Sequence, residues 1–127
     1  MIQHVDNVGI AVTDFRRSAD WYRNLGFECP EEWGTRGSFQ AGDAVLYIFQ
    51  TDSPKSPEPR QLDLVHNPPG IDHISFRVAD VDASHQQLLE RGVEIEEGPT
   101  NQDWGSRTIT MLDPDGNRIY FLGPLKD

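Results

Sequence analysis

One cysteine, Cys29, occurs in 127 residues, so an internal disulfide, a zinc ribbon and a CxxC redox pair are all excluded. That usage fits a reducing compartment, and a cytoplasmic location is expected. Cys29 itself is read as a small packed side chain rather than a nucleophile. Lysine is scarce too: Lys55 and Lys126 are the only two among 11 basic residues, against 21 acidic ones, for a formal net charge of −10. A field of that sign repels phosphate backbones and anionic lipid, so neither nucleic acid nor a membrane is expected as a partner. No apolar run approaches the roughly 20 residues that span a bilayer. The opening MIQHVDN has neither the basic start nor the apolar run of a signal peptide. The length suits one domain with a real core.

What the chain does contain is a pattern used twice. NVGIAVTDFRRSADWYRNLGFE, residues 7–28, lies over HISFRVADVDASHQQLLERGVE, residues 73–94, at a constant offset of 66 from Asn7 to His73. The identities fall at boundaries and packed faces: Val12/Val78, Asp14/Asp80, Ser18/Ser84, Gly26/Gly92 and Glu28/Glu94. Each copy opens as a strand. Val8, Ile10 and Val12 alternate with Asn7, Gly9 and Ala11, and Ile74, Phe76 and Val78 alternate with His73, Ser75 and Arg77. Asp14 and Asp80 then read as N-caps, each accepting from the first free N–H groups of a helix. Phe15, Ala19 and Tyr22 form an apolar stripe on the first helix, and Val81, Leu88 and Leu89 one on the second. Gly26 and Gly92 suit the left-handed residue that closes a helix.

More strands follow in each half. SFQAGDAVLYIF reads as a hairpin with Gly42-Asp43 at its tip, and SRTITML and RIYFLG flank the turn DPDGN. Between the halves, TDSPKSPEPRQLDLVHNPPG carries five of the nine prolines and reads as linker, with a short strand over Leu62 to Val65. The architecture expected is α+β: two βαβββ modules whose mixed sheets curl as a half-barrel around a cavity, with the helices on the outer face. Module one covers 1–51, a Pro-rich linker 52–70 and module two 71–127, together a single domain.

A helix packs on an apolar sheet face, so the opposite face is the one available for a site. If Leu112 pairs with Arg118, Thr110 sits opposite Tyr120 and Thr108 opposite Leu122, while Ile109, Met111, Ile119 and Phe121 lie under the helix. In the first hairpin Phe39, Leu46 and Ile48 go under the helix, and Ser38, Gln40, Val45, Tyr47 and Phe49 to the other side. The free faces then carry Asn7, Tyr47, His73 and Tyr120, expected to converge on one cavity. Tyr47 matches Tyr120 at an offset of 73, the extra seven residues being assigned to a longer loop around Asn101 to Trp104. Alternation sends Asp72 to the face opposite His73, so no Asp–His pair is expected.

These residues carry a resemblance. VDNVGIAVTDFRRSADWYRNLGF, GIDHISFRVADVDA, LLERGVE and WGSRTITMLDPDGNRIYF are similar to the vicinal oxygen chelate superfamily, which includes glyoxalase I, bleomycin-resistance proteins and extradiol dioxygenases. The resemblance covers nearly the whole chain. It implies, for metal-dependent members, four inward positions supplying His, Gln or Glu. Here those positions hold Asn7, Tyr47, His73 and Tyr120, one match in four. A catalytic divalent metal wants at least three good protein ligands; amide and protonated phenol are weak ones. No metal and no other cofactor is therefore expected.

The remaining expectation is a pocket. Ligand-binding residues are Asn7, Ser38, Tyr47, His73, Ser75, Trp104, Thr110 and Tyr120, aromatic walls with a few polar groups being usual in small-molecule sites. His73 is the candidate catalytic residue, because imidazole titrates near neutrality. Trp104 is read as a lid or as an anchor for its loop, and Trp33 likewise in the first half. The function expected is binding of a small, possibly flat organic molecule. The alternative is a metal-dependent lyase, isomerase or dioxygenase of the same superfamily using His73. A homodimer is expected from the resemblance and from the prevalence of two-fold pairing.

Overall fold

The structure is a computed structural model that describes residues 1–55, 58 and 60–127. The part of the linker reading that falls on residues 56, 57 and 59 lies outside the described residues. The chain divides into two compact units, Met1–Ser56 and Pro57–Asp127.

The first unit runs β1 (Val8–Val12), α1 (Phe15–Asn24), β2 (Glu28–Glu32), β3 (Arg36–Ala41) and β4 (Ala44–Gln50). Its four strands are ordered β1-β4-β3-β2, with β1 parallel to β4 and the other pairs antiparallel. The second unit repeats this as β5 (His73–Arg77), α2 (Val81–Glu90), β6 (Glu97–Asn101), β7 (Arg107–Leu112) and β8 (Arg118–Gly123), ordered β5-β8-β7-β6. Two βαβββ modules of an α+β fold are thus present.

The helices form where the repeat places them. Asp14 accepts from the Arg17 N–H and Asp80 from the Ala83 N–H, each at 3.1 Å. Gly26 and Gly92 follow the last turns with φ of +107° and +76°, which a side chain would strain. On α1, Phe15, Ala19 and Tyr22 are buried, and Phe15 meets Phe39 of β3 edge to face at 6.1 Å. Burying side chains of this size contributes roughly 1.5–3 kcal/mol each. On α2, Val81 and Leu88 are buried but Leu89 is 48 % exposed, so the second stripe is narrower than the sequence suggests. Ser18 is also buried, on the same face as Ala19 and Tyr22.

The hairpins keep the expected registers. Ala41 pairs with Ala44 around Gly42-Asp43, and Leu112 with Arg118 around DPDGN. Phe39, Leu46 and Ile48 are buried in the first unit, and Ile109, Met111, Ile119 and Phe121 in the second. Tyr47 pairs with Gly9 and Tyr120 with Ser75, equivalent places in the repeat. Ser38 and Thr110 pair with those tyrosines, and that offset of 72 leaves only one of the seven extra residues inside the second hairpin. The others precede β7.

Strands β2 and β6 complete the expected βαβββ modules, although, poor in β-branched and aromatic residues, they carry no alternation that marks them in the sequence. Two expectations need correction here. Leu62 to Val65 forms no strand; residues 62–67 are a succession of bends. The second concerns Asp72, described with the site. No helix among the described residues is long and apolar enough to cross a membrane.

Candidate ligand-binding site

The second unit builds its free sheet face from three adjacent strands. In the parallel pair, His73 of β5 lies beside Arg118 of β8, and Ser75 beside Tyr120. In the antiparallel pair, Thr110 of β7 lies beside Tyr120 and Thr108 beside Leu122. Because side chains alternate along each strand, these share the face that α2 leaves open. All but Arg118 line a pocket of about 320 Å³, whose polar wall includes His73, Ser75, Thr108, Thr110 and Tyr120. Glu97 and Gln102 add an acid and an amide, and Leu64, Trp104 and Leu122 apolar surface. The volume is at the lower end of the range for small-molecule sites. The His73 and Tyr120 rings meet edge to face at 4.5 Å.

Beneath this wall lies a charged network. Arg118 has a fully buried side chain. Its Nη1 donates to Asp72 Oδ2 and to Tyr120 Oη, both at 3.1 Å. Its Nη2 donates to the carbonyls of Gln61 and Asp63, the second at 2.9 Å. A buried guanidinium needs such partners, because an unpaired charge out of water is costly. Asp72 in turn accepts from His73 Nδ1 at 2.7 Å and from Arg60 Nη1 at 3.2 Å. The hydrogen bond from His73 chiefly, then the charges of Arg118 and Arg60, hold the Asp72 carboxyl below its ordinary value against an opposing effect of burial.

The Asp–His pair is therefore formed, contrary to the expectation from strand alternation. Asp72 lies before β5, whose first ladder pair is His73 with Arg118, so alternation does not govern it. Two arginines and an imidazole draw its carboxylate to their side. An ionised carboxylate only accepts hydrogen bonds, so it fixes the proton of His73 on Nδ1.

The segment from Arg60 to Asn67 borders the site. Gln61 N–H donates to Asn67 Oδ1 at 2.8 Å, and Asn67 Nδ2 returns to the carbonyls of Gln61 and Asp63. Asp63 Oδ1 accepts from the Val65 and His66 N–H groups, each at 2.8 Å, and these bonds lower its pKa to about 2. Part of the expected linker is thus a tied loop that presents Leu64 to the pocket.

Of the residues expected from sequence, His73, Ser75, Trp104, Thr110 and Tyr120 are brought together here. Trp104 is 62 % exposed at the pocket. In the first unit, Ser38 pairs with Tyr47, and Tyr47 stacks on Phe49 at 5.4 Å. Tyr47 and Phe49 line an open hollow of about 500 Å³ with Trp33 and Arg36. Asn7 is not part of that lining: it precedes the first ladder pair of β1, is exposed, and donates to Asp6 at 2.8 Å. Arg118 and Glu97 are not among the residues expected from sequence, and Asp72 is expected on the opposite face. An arginine two residues before Tyr120, inside a strand and in phase with it, is the signal that could have exposed the first.

Among the described residues, no group of three or more His, Cys, Asp and Glu side chains is placed to hold a metal ion.

Comparison with known proteins agrees with this architecture. A protein of Bacillus subtilis known as YwkD, itself uncharacterized, is 27 % identical over 123 residues, 91 % of this chain and 92 % of its own. The crystal structure of SMU.1112c is 29 % identical with a TM-score of 0.76, covering 96 % of this chain and 99 % of that one. A glyoxalase family protein from Enterococcus faecalis shares the fold at 22 % identity, with a TM-score of 0.73 over 94 % of this chain and 97 % of its own. Residues 2–121 match the Glyoxalase/Bleomycin resistance protein/Dioxygenase superfamily as a whole. With that match spanning both βαβββ repeats, the chain belongs to the Glyoxalase/Bleomycin resistance protein/Dioxygenase superfamily.

Proposed function

We propose that the second unit binds a small, partly flat organic molecule in the pocket walled by His73, Ser75, Thr110 and Tyr120, and that it does so without a resident divalent metal. The observation that carries the metal-free reading is the Arg118 guanidinium 3.1 Å from Tyr120 Oη. Tyr120 stands where the resemblance calls for an anionic ligand, yet its oxygen already accepts from a buried cation. A divalent ion there would meet that positive charge at short range, with one imidazole and no carboxylate at the four positions to offset it. The residues present do not fit a family-type metal.

For the ligand, hydroxyls and an oriented imidazole supply hydrogen bonds, and the faces of Tyr120 and Trp104 supply stacking surface. A related role is proposed for Tyr47 in the hollow of the first unit, and for its ladder partner Ser38 and for Asn7, neither of which is part of that lining. The reading includes a homodimer in a reducing cytoplasm, which sedimentation and cell fractionation check. Its direct test is a thermal-shift screen of a metabolite library on the intact protein, repeated on Tyr120→Ala. A hit whose shift disappears in that variant supports the pocket; hits indifferent to it place the ligand elsewhere.

A second reading rests on the 2.7 Å bond between Asp72 and His73. A carboxylate that fixes the tautomer leaves Nε2 as the free ring nitrogen, suited to moving a proton on a bound substrate. The activity would be lyase- or isomerase-like. Turnover of a screened compound that is lost in His73→Ala and reduced in Asp72→Asn is the outcome expected for it.

A further inference from the structure

Among the described residues, the pocket lining includes an acid and neither lysine nor arginine. Glu97 lines it, pairs through its backbone with Thr110, and makes no ion pair or side-chain hydrogen bond among the described residues. Beneath the wall, Arg118 has no exposed side-chain surface and donates to Asp72, Tyr120 and two carbonyls. Its Nε has no partner among the described residues but is buried, and Arg118 is not part of the pocket lining, so that donor does not face a bound anion.

Two further polar groups lean the same way, while the Ser75, Thr110 and Tyr120 hydroxyls can donate or accept. Gln102 donates through Nε2 to Thr108 Oγ1 at 2.9 Å, which leaves its carbonyl oxygen to accept. His73 donates through Nδ1 to Asp72, leaving Nε2, an acceptor whenever the ring is neutral. Beside these acceptors stands the ring of Trp104, whose negative faces attract cations; Tyr120, with Arg118 already 5.9 Å from its ring centre, adds a stacking surface. The whole chain adds a long-range field of the same preference, at a net charge of −10.

We propose that the pocket selects an amine-bearing, positively charged organic ligand, with Glu97 as the residue that determines this specificity. The inference rests on the pocket reading above and adds the charge class of its ligand. Carboxylates, phosphates and phosphonates are disfavoured, because Glu97 repels them and no lysine or arginine among the described residues lines the pocket to compensate.

The test is calorimetry on the intact protein at low salt with three probes of one shape: 2-phenylethylamine as ammonium, 2-phenylethanol as neutral form and 3-phenylpropionate as anion. The amine is expected to bind tightest and the anion weakest. Glu97→Gln is expected to weaken the amine by about three- to tenfold, the scale of a partly solvated charge pair, and to leave the alcohol within about twofold. Tyr120→Ala is expected to weaken all probes that bind. If the alcohol or the anion binds as tightly as the amine, or Glu97→Gln leaves the amine unchanged while Tyr120→Ala weakens it, the charge selection is wrong and the pocket stands. If no probe binds at millimolar concentration, or neither variant changes any affinity, the pocket reading falls and the charge selection with it.

Discussion

Asp72 and His73 are consecutive in sequence, yet they are joined side chain to side chain by a 2.7 Å hydrogen bond. Arg118, 46 positions from Asp72, donates to the same carboxylate oxygen from the next strand. One carboxylate thus ties the pocket imidazole to a buried guanidinium, and the guanidinium ties both to the loop at Gln61 and Asp63.

Arg118→Met removes the centre of this network while keeping much of its volume. Removing one member of a buried ion pair typically costs about 3–5 kcal/mol. Asp72 is only partly buried and keeps Arg60, so a loss of about 2–3 kcal/mol is expected. Urea unfolding monitored by far-UV circular dichroism measures it. A loss below about 0.5 kcal/mol would mean that the network does not stabilise the fold.

The pH dependence follows from Asp72 and Asp63, both depressed in the folded state. A depressed carboxyl contributes stability that is present above its unfolded value and is lost as pH falls through the folded one. For Asp63 that window runs from the ordinary 3.8 down to about 2. The Val65 and His66 amides, which Asp63 holds, should stay protected from exchange at pH 4 and lose protection toward pH 2. Asp63→Ala should lack that protection at every pH, while the amides of Ile109 and Ile119 in the sheet keep theirs. Equal protection in the variant and the wild type would refute the tie.

Two glycines separate strain from crowding. Gly98 has φ of +92°, and a Cβ there would lie 2.4 Å from the Thr108 carbonyl oxygen. Gly105 has φ of +103° with open space around it. Gly105→Ala is expected to cost about 1 kcal/mol from backbone strain alone. Gly98→Ala should cost clearly more, about 2–4 kcal/mol, since β7 must also shift. Chemical denaturation of the two variants side by side decides; equal losses would mean that β6 relaxes away from Thr108.

Metal removal is the check on the chemistry of the site. Purified protein is expected to hold less than a tenth of an equivalent of nickel, zinc, manganese or iron, and its melting temperature to be unmoved by a chelator. A stoichiometric metal that is lost in His73→Ala would overturn the metal-free proposal.

The sequence by itself determined the two modules and most of their faces. The offset from Asn7 to His73, the caps Asp14 and Asp80, and the alternation of Ile109, Met111, Ile119 and Phe121 are local signals, because helix and strand periods write themselves into neighbouring residues. Parity carried Tyr120, Thr110 and Ser75 to one pocket for the same reason. The tertiary structure decided what parity does not reach. Asp72 sits just outside its strand, where charge rather than pleat sets its direction, and it turns toward Arg118 and Arg60. Glu97 and Leu64 come to the pocket from a strand without alternation and from a bent loop. Their places depend on pairing with Thr110 and on carbonyls held by Arg118, contacts between residues far apart in the chain that no local period records.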